Sequence, residues 1–347
     1  MRRTRIKDIA EVVGVSEAAA SFALNGKPGV SEELRNRVLA AARDLGWRPN
    51  VAARSLAANR AGAVGLVVAR ATQGFGTESF FLQLISGVSR TIQAHSLTLV
   101  LQIVDTLDEE MATYDTWYFE HRVDGVLVVD PRMNDPRPQR LTKLGLPAVL
   151  IGGTGGSLLP AVTISDDLAM RTIIDHLQQE GYEHLAYVSG LQELAHTQSR
   201  VDTFASYCPQ LGLQTTEPFL TDYSAESGST STNLILGLTP RPHAVVYDNE
   251  VLALAGLATI QAAGLRVPED IGVVVWEDSP IWTAIRPHLT ALHRDATNLG
   301  SDGAALLISA IEGAHVTTVA EPNPTLIIRQ SSRRARAPQP GEATKPR

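Results

Sequence analysis

The chain has 347 residues, 44% of them hydrophobic and 19% charged, with a net charge of −7. That balance excludes a disordered chain and fits a globular protein of two or three domains. A single cysteine, Cys208, excludes an internal disulfide framework. No apolar run reaches the length of about eighteen residues that a membrane span needs.

Residues 6–25 read as two short helices joined by a tight turn. Ile9, Ala10, Val12 and Val13 give the first an apolar face. Gly14 ends it, because glycine adopts the left-handed cap at least cost. Ser16 suits the N-cap of the second helix, since its oxygen can accept from an orphan backbone N–H. Ala20, Ala23 and Leu24 recur at helical spacing on the buried side. Glu17, Ala18, Ser21 and Phe22 face the other way. Helix, glycine turn, helix places a second helix in a DNA major groove, and it is equally the pattern of a plain helical hairpin.

After the loop Gly26-Lys27-Pro28-Gly29 a third helix is expected. Ser31 caps it, Glu32 and Glu33 suit its N-terminal end, and Leu34, Val38, Leu39, Ala42 and Leu45 form its stripe. Gly46 stops it. Residues 1–49 thus form a small helical head. Residues 50–60, capped by Asn50, make a helix of about two turns, too short to persist unless something packs on it. Residues 1–60 hold eleven basic and six acidic side chains, leaving −12 on the remainder. A basic head on an acidic body directs a polyanion to the head.

From Ala63 short apolar runs alternate with helical periods. Strands are expected at 64–69, 98–104, 125–129, 148–151, 161–164, 185–189, 244–247 and 271–276. Helices are expected at 80–94, 167–179, 200–207, 250–263 and 298–312. Such alternation implies parallel sheets covered on both faces, with ligands at the carboxyl ends of the strands. By pattern alone the body suits a sugar-binding protein, a dinucleotide enzyme or a hydrolase. The enzyme motifs are absent: Gly152-Gly153-Thr154-Gly155-Gly156 lacks the dinucleotide spacing, and no P-loop, H-E-x-x-H or G-x-S-x-G occurs. The nine histidines show no metal-ligand spacing. Asp166-Asp167 reads as a helix N-terminal pair rather than a catalytic dyad. No enzyme activity, cofactor or metal is expected.

Residues 4–60 resemble the head of a LacI/GalR-family transcriptional regulator. The resemblance lies in Lys7-Asp8-Ile9-Ala10, Gly14-Val15-Ser16, Ser21 with Leu24-Asn25, Val30-Ser31, Arg37-Val38-Leu39-Ala40-Ala41, Leu45-Gly46-Trp47-Arg48-Pro49-Asn50 and Ala53-Arg54-Ser55-Leu56. It implies that Lys7, Ser16, Glu17, Ala18, Ser21, Phe22, Asn25 and Ser31 meet operator DNA. It also implies a hinge helix in which Asn50, Ala53 and Leu56 meet DNA, with Leu56 wedged into the minor groove. The face departs from the family at Ala19-Ala20, where Thr-Val is usual. Glu17 repels phosphate and can accept from a cytosine amino group, and Ala18 offers only a methyl. Phe22 suits base contact or packing on the head.

Residues 61–332 resemble the family's periplasmic-binding-protein-like core, through Phe80-Phe81 with Gly87, Val123-Asp124-Gly125-Val126, Gly181-Tyr182-Glu183-His184, Arg200, Ala253-Leu254-Ala255-Gly256, Gly264-Leu265-Arg266-Val267-Pro268-Glu269-Asp270 and Pro287-His288-Leu289-Thr290. The resemblance implies two doubly wound parallel-sheet halves, roughly 61–160 with 292–322 and 161–291, that dimerise and hold a small effector, commonly a sugar, between them. Arg200 matches the cleft arginine. The cleft acid falls at Asp248 or Glu250, and Glu277 stands where aspartate is usual. Phe80 or Phe75 suits stacking on a sugar face. The tail from Ala335 is rich in proline and charge and is expected to be disordered. With no apolar segment after the N-terminal arginines, no secretory signal is expected, and the cytoplasm is the expected compartment. The expected protein is a homodimeric, effector-controlled DNA-binding regulator, a repressor by resemblance. Neither the effector, nor whether it induces or corepresses, nor the operator is legible.

Overall fold

The computed structural model describes residues 4–47, 60–70, 79–153 and 158–334. The chain falls into two units, Met1–Ala61 and Gly62–Arg347.

The first unit is three helices, α1 (Ile6–Val13), α2 (Glu17–Leu24) and α3 (Glu32–Asp44). Asp8 accepts the Arg5 N–H at 2.7 Å and caps α1. Gly14 closes α1 at φ 73°, donating to the Ala10 carbonyl. Ser16 and Ser31 cap α2 and α3 as expected, accepting from Ala19 N and Leu34 N at 3.2 Å each. Ile9, Ala10, Val13, Ala20, Ala23, Val38, Ala41 and Ala42 form the core. Three expected core positions do not join it. Val12, Leu39 and Leu45 are exposed, because the helices are short and only one stripe of each meets its neighbours.

The second unit holds two six-stranded sheets. The first contains β1 (Ala63–Ala69), β2 (Thr98–Val104), β3 (Gly125–Val128), β4 (Ala148–Ile151), β5 (Ala161–Thr163) and β11 (Val319–Ala320), in the order β11-β5-β4-β3-β1-β2, all parallel. The second contains β6 (His184–Val188), β7 (Gln214–Thr215), β8 (Ala244–Tyr247), β9 (Gly272–Val275), β10 (Thr290–His293) and β12 (Thr325–Ile327), in the order β12-β10-β9-β8-β6-β7. Only β12 runs antiparallel, against β10. The doubly wound fold is therefore borne out, with one antiparallel edge strand added.

The strands also place the passage between halves. β5 belongs to the first sheet, so the chain enters the second half after Thr163 rather than at 161. It returns after β10 and crosses again between β11 and β12, two short strands that the apolar pattern does not reveal. In the order 2-1-3-4-5 the strand sequence reverses between β1 and β3, and in the second sheet between β6 and β8. Ligands bind at the carboxyl ends of strands beside such reversals.

Candidate functional sites

On the head, Glu17 and Ala18 are exposed and Ser21 is half-buried. Phe22 is 42% exposed and outside the core, with the Lys27 ammonium 5.8 Å from its ring centre. It does not join the buried core of this unit. Asn25 turns back on α2, donating to the Ser21 carbonyl at 2.9 Å and lying 3.3 Å from its hydroxyl. Lys7 is exposed and 4.0 Å from Glu11. The hydroxyls of Ser16 and Ser31 spend an acceptor on capping and keep their protons for another partner. Arg37 and Arg35 serve the head itself, donating to the Val13 carbonyl at 2.9 Å and the Lys27 carbonyl at 3.0 Å. Asn50, Ala53 and Leu56 lie outside the described residues, as do Phe75 and the tail from Ala335.

In the second unit a cleft opens where the sheets reverse. It encloses about 650 Å³ of space, open solvent included. Arg70 follows β1 and Asp130 follows β3, and they form a bidentate pair at 2.7 and 3.1 Å. Asp130 sits in the left-handed region at φ 50°. The buried guanidinium of Arg137, on α6 (Arg137–Leu144), donates to the Val129 and Asp130 carbonyls at 2.9 and 2.7 Å and holds that turn. Arg70 also lies over the rings of Phe81 and Tyr223. It thus links the first half to the second.

Across the cleft, Asp248 follows β8. It accepts from Arg200 Nη1 at 2.8 Å, Tyr187 Oη at 2.5 Å and Tyr223 Oη at 2.8 Å. Burial is the strongest single influence on Asp248 and opposes its charge, but Arg200 and the Tyr187 hydrogen bond, with its other neighbours, together outweigh it and the carboxyl stays below the usual carboxylate range. Arg200 lies on α8 (Ala195–Gln210). It also donates through Nε and Nη2 to Asp166 Oδ1, and its face covers Trp276 at 3.9 Å. Of the two candidate acids, Asp248 lines the cleft and meets Arg200. Glu250 accepts from Ser279 Oγ at 3.0 Å and from the Ser79 N–H at 3.4 Å, and does not line the cleft.

Glu277 and Phe80 do line it. Burial pushes the Glu277 carboxyl up, against the opposing pull of Arg294 and Arg200. Four further groups line it that were not expected there: Asp166, Arg294, Tyr223 and the Arg70–Asp130 pair. Asp166 does begin α7 (Asp166–Gln179), as expected, yet the same carboxylate faces Arg200. Arg70 and Asp130 carried a signal, since each is the first charge after an apolar strand.

The model of bacterial regulatory proteins of the lacI family matches residues 5–50, and that of the periplasmic binding protein-like domain matches residues 174–332. The HTH-type transcriptional regulator AglR of Rhizobium meliloti is 32% identical over 278 residues, 79% of this chain and 77% of that one. The chain belongs to the LacI family. The HTH-type regulator CelR of Thermobifida fusca is 28% identical over 90% of this chain and 93% of its own. A solved LacI-family regulator from Bifidobacterium animalis is 31% identical, with a TM-score of 0.72 over 78% of this chain and 98% of that one. The Lac repressor dimer bound to operator and the anti-inducer ONPF shares the fold, with a TM-score of 0.83 at 22% identity, over 95% and 99% of the two chains. Like other LacI-family members, the protein is a DNA-binding transcriptional regulator. No helix among the described residues is long and apolar enough to cross a membrane.

Proposed function

We propose that this regulator is a cytoplasmic homodimeric repressor whose operator binding is set by a small carbohydrate in the cleft. The observation that carries the reading is the cleft itself, at the strand reversals of both sheets, lined by arginines, carboxylates and aromatic rings. The solved CelR–cellobiose complex, 26% identical, supports a sugar. In a two-fold dimer each head reads one half of a near-palindromic site. The exposed faces of Lys7, Ser16, Glu17, Ala18, Ser21, Phe22, Asn25 and Ser31 supply the contacts, and Asn50, Ala53 and Leu56 extend them along the hinge.

Arg70 over Tyr223 and Arg132 near Glu193 (3.4 Å) join the two halves of the core, so a ligand between them acts on their relation. A ligand that prefers the DNA-incompetent arrangement releases the operator, and one that prefers the other arrangement strengthens binding. The test is selection of bound duplexes from a random pool at fixed salt, followed by titration of the recovered site with and without sugars. A near-palindrome bound at least about 10³-fold above random DNA is expected. Affinity no greater than for random DNA overturns the proposal.

A further inference from the structure

We infer that residues 130–135 form a tongue that clasps residues 193–195 of the opposite half of the core through its backbone, and that this clasp sets how tightly the protein holds its operator. The clasp stands on contacts within the core alone; its effect on DNA rests on the core controlling the head.

The tongue follows β3 of the first sheet, and the segment it meets follows β6 of the second. Two backbone hydrogen bonds join them. The Met133 N–H donates to the Glu193 carbonyl at 3.0 Å, and the Ala195 N–H donates to the Pro131 carbonyl at 2.8 Å. Arg132 and Leu194 thereby face each other as an antiparallel pair. The Arg132 guanidinium lies 3.4 Å from the Glu193 carboxylate across the same join.

Each side is also held by its own half. The tongue bends at two residues in the left-handed region, Asp130 at φ 50° and Asn134 at φ 54°. Asp135 ties its base, accepting from the Arg132 N–H at 3.2 Å and from the Arg137 N–H at 3.0 Å. Opposite, Leu194 is buried in the core of the second half and its N–H donates to the Leu191 carbonyl at 3.2 Å. Segments already held in shape lose little entropy on pairing, so a pair of backbone bonds between them keeps most of its worth.

The position of the clasp lets it act on the relation of the halves. The chain passes between them after β5, β10 and β11, and β3 and β6 stand farther along their sheets from those passages. A turn of one half against the other about the passages parts the tongue from residues 193–195. The core then has a clasped and an open arrangement. A contact made in only one of them shifts the equilibrium as a ligand specific for that arrangement does.

The test uses Ala195→Pro in the full-length protein. It removes the N–H that reaches Pro131 and sets the ring's Cδ against that carbonyl. The helix accepts the change, because Ala195 is the first residue of α8, where proline is favoured. Leu194, at φ −82° and ψ 135°, already has the extended backbone of a residue before proline. The control is Ala225→Pro, at the exposed first residue of the helix Ala225–Leu236, after an equally extended Ser224. Hydrogen exchange read by mass spectrometry is expected to be about 10-fold or more faster at residues 131–134 in Ala195→Pro and unchanged in Ala225→Pro. Equal exchange in all three proteins overturns the clasp. Fluorescence anisotropy on the selected operator is expected to show an affinity altered by about 3-fold or more in Ala195→Pro alone. Faster exchange with wild-type operator affinity, or an equal change in Ala225→Pro, overturns the regulatory role. Arg132→Ala removes the ion pair and leaves the backbone intact. It is expected to move both readouts in the same direction as Ala195→Pro and by less, and it carries the test if proline disturbs α8; movement in the opposite direction overturns the inference. A wild type that selects no operator overturns the proposed function instead, and the exchange rates still decide whether the clasp exists.

Discussion

His196 shows how one side chain's chemistry follows from its neighbours. Tyr223 has a single hydroxyl proton, and Asp248 at 2.8 Å takes it. His196 Nε2, 3.2 Å from the same oxygen, must then be the donor, which assigns the neutral ring its Nε2–H tautomer. Burial, with Arg200 close by, pushes its pKa down to about 4, although Asp130, Asp166 and Asp248 pull the other way. The ordinary value is 6.5. Between these two values the unfolded chain binds a proton that the folded protein refuses, so this contribution to stability is present at neutral pH and lost as pH falls from 6.5 towards 4. Its size is on the order of 3 kcal/mol. Glu321, pushed up to about 6 by burial and by Asp302 and Asp295, acts in the opposite sense, adding stability at low pH that fades as pH rises through 6. Comparison with His196→Gln separates the two. In urea unfolding, the wild type is expected to lose more stability than the variant between pH 7 and pH 4.5. Equal losses would show that the ring does not titrate there. The same crowding explains what sequence could say of the site. Arg200 was legible through its motif. Its partner Asp166 was hidden, because an acid at a helix N-terminus already has a sufficient reason to be there. Arg294 was hidden because its open donors are a property of what surrounds it.

Among the elements, long apolar strands and amphipathic helices were legible to within a few residues. Not all were: the helices Leu107–Phe119 and Arg137–Leu144 were not expected, and the helix expected at 200–207 runs Ala195–Gln210. Others missed lack that signature. The helix Ala225–Leu236, α9, reads as turn chemistry in its Ser, Thr and Gly, yet Gly228 lets it approach the helix Glu250–Ala262, α10, with Leu252 backbone 3.1 Å from where a Cβ would stand. Strands β7, β11 and β12 are two or three residues long and mostly solvent-facing, too short for an alternation to register. A closer approach joins the helix Ser79–Ala94, α4, to the helix Ala296–Ile311, α11, over the first sheet. A Cβ on Gly300 would stand 2.1 Å from the Leu84 carbonyl oxygen, and one on Gly87 1.9 Å from that of Thr297. Two effects compete in Gly300→Ala. Helix propensity favours alanine by about 1 kcal/mol. A clash with backbone cannot be relieved by a rotamer and costs about 1–3 kcal/mol or more. The clash wins, so the melting temperature of Gly300→Ala is expected to fall by several degrees. A rise would mean that the helices part at no cost. α11 starts two residues after Arg294 and α4 carries Phe80, so the same contact fixes two walls of the cleft.

At the scale of the whole molecule, the chain joins a small basic head to a larger acidic core through residues 50–60. Two units folded around separate cores, each with its own candidate site, are joined through that segment, which the proposed function requires to respond to both. That places the decisive test in the hinge. An isolated segment of about two turns does not hold helix in water, so under the proposed function its order comes from DNA and from a second copy of itself. Phosphate contacts from the head do not depend on that order and follow only charge. A leucine wedged between base steps of a bent operator does depend on it. Leu56→Ala should therefore weaken binding to the selected operator by about 10-fold or more while leaving binding to random DNA, and its salt dependence, nearly unchanged. Fluorescence anisotropy on both duplexes over a salt series reads the two terms separately. Equal losses on both DNAs would mean that Leu56 supports the fold of the protein and not the bend of its operator. A loss on the operator alone would make the hinge a part of the complex that senses DNA shape.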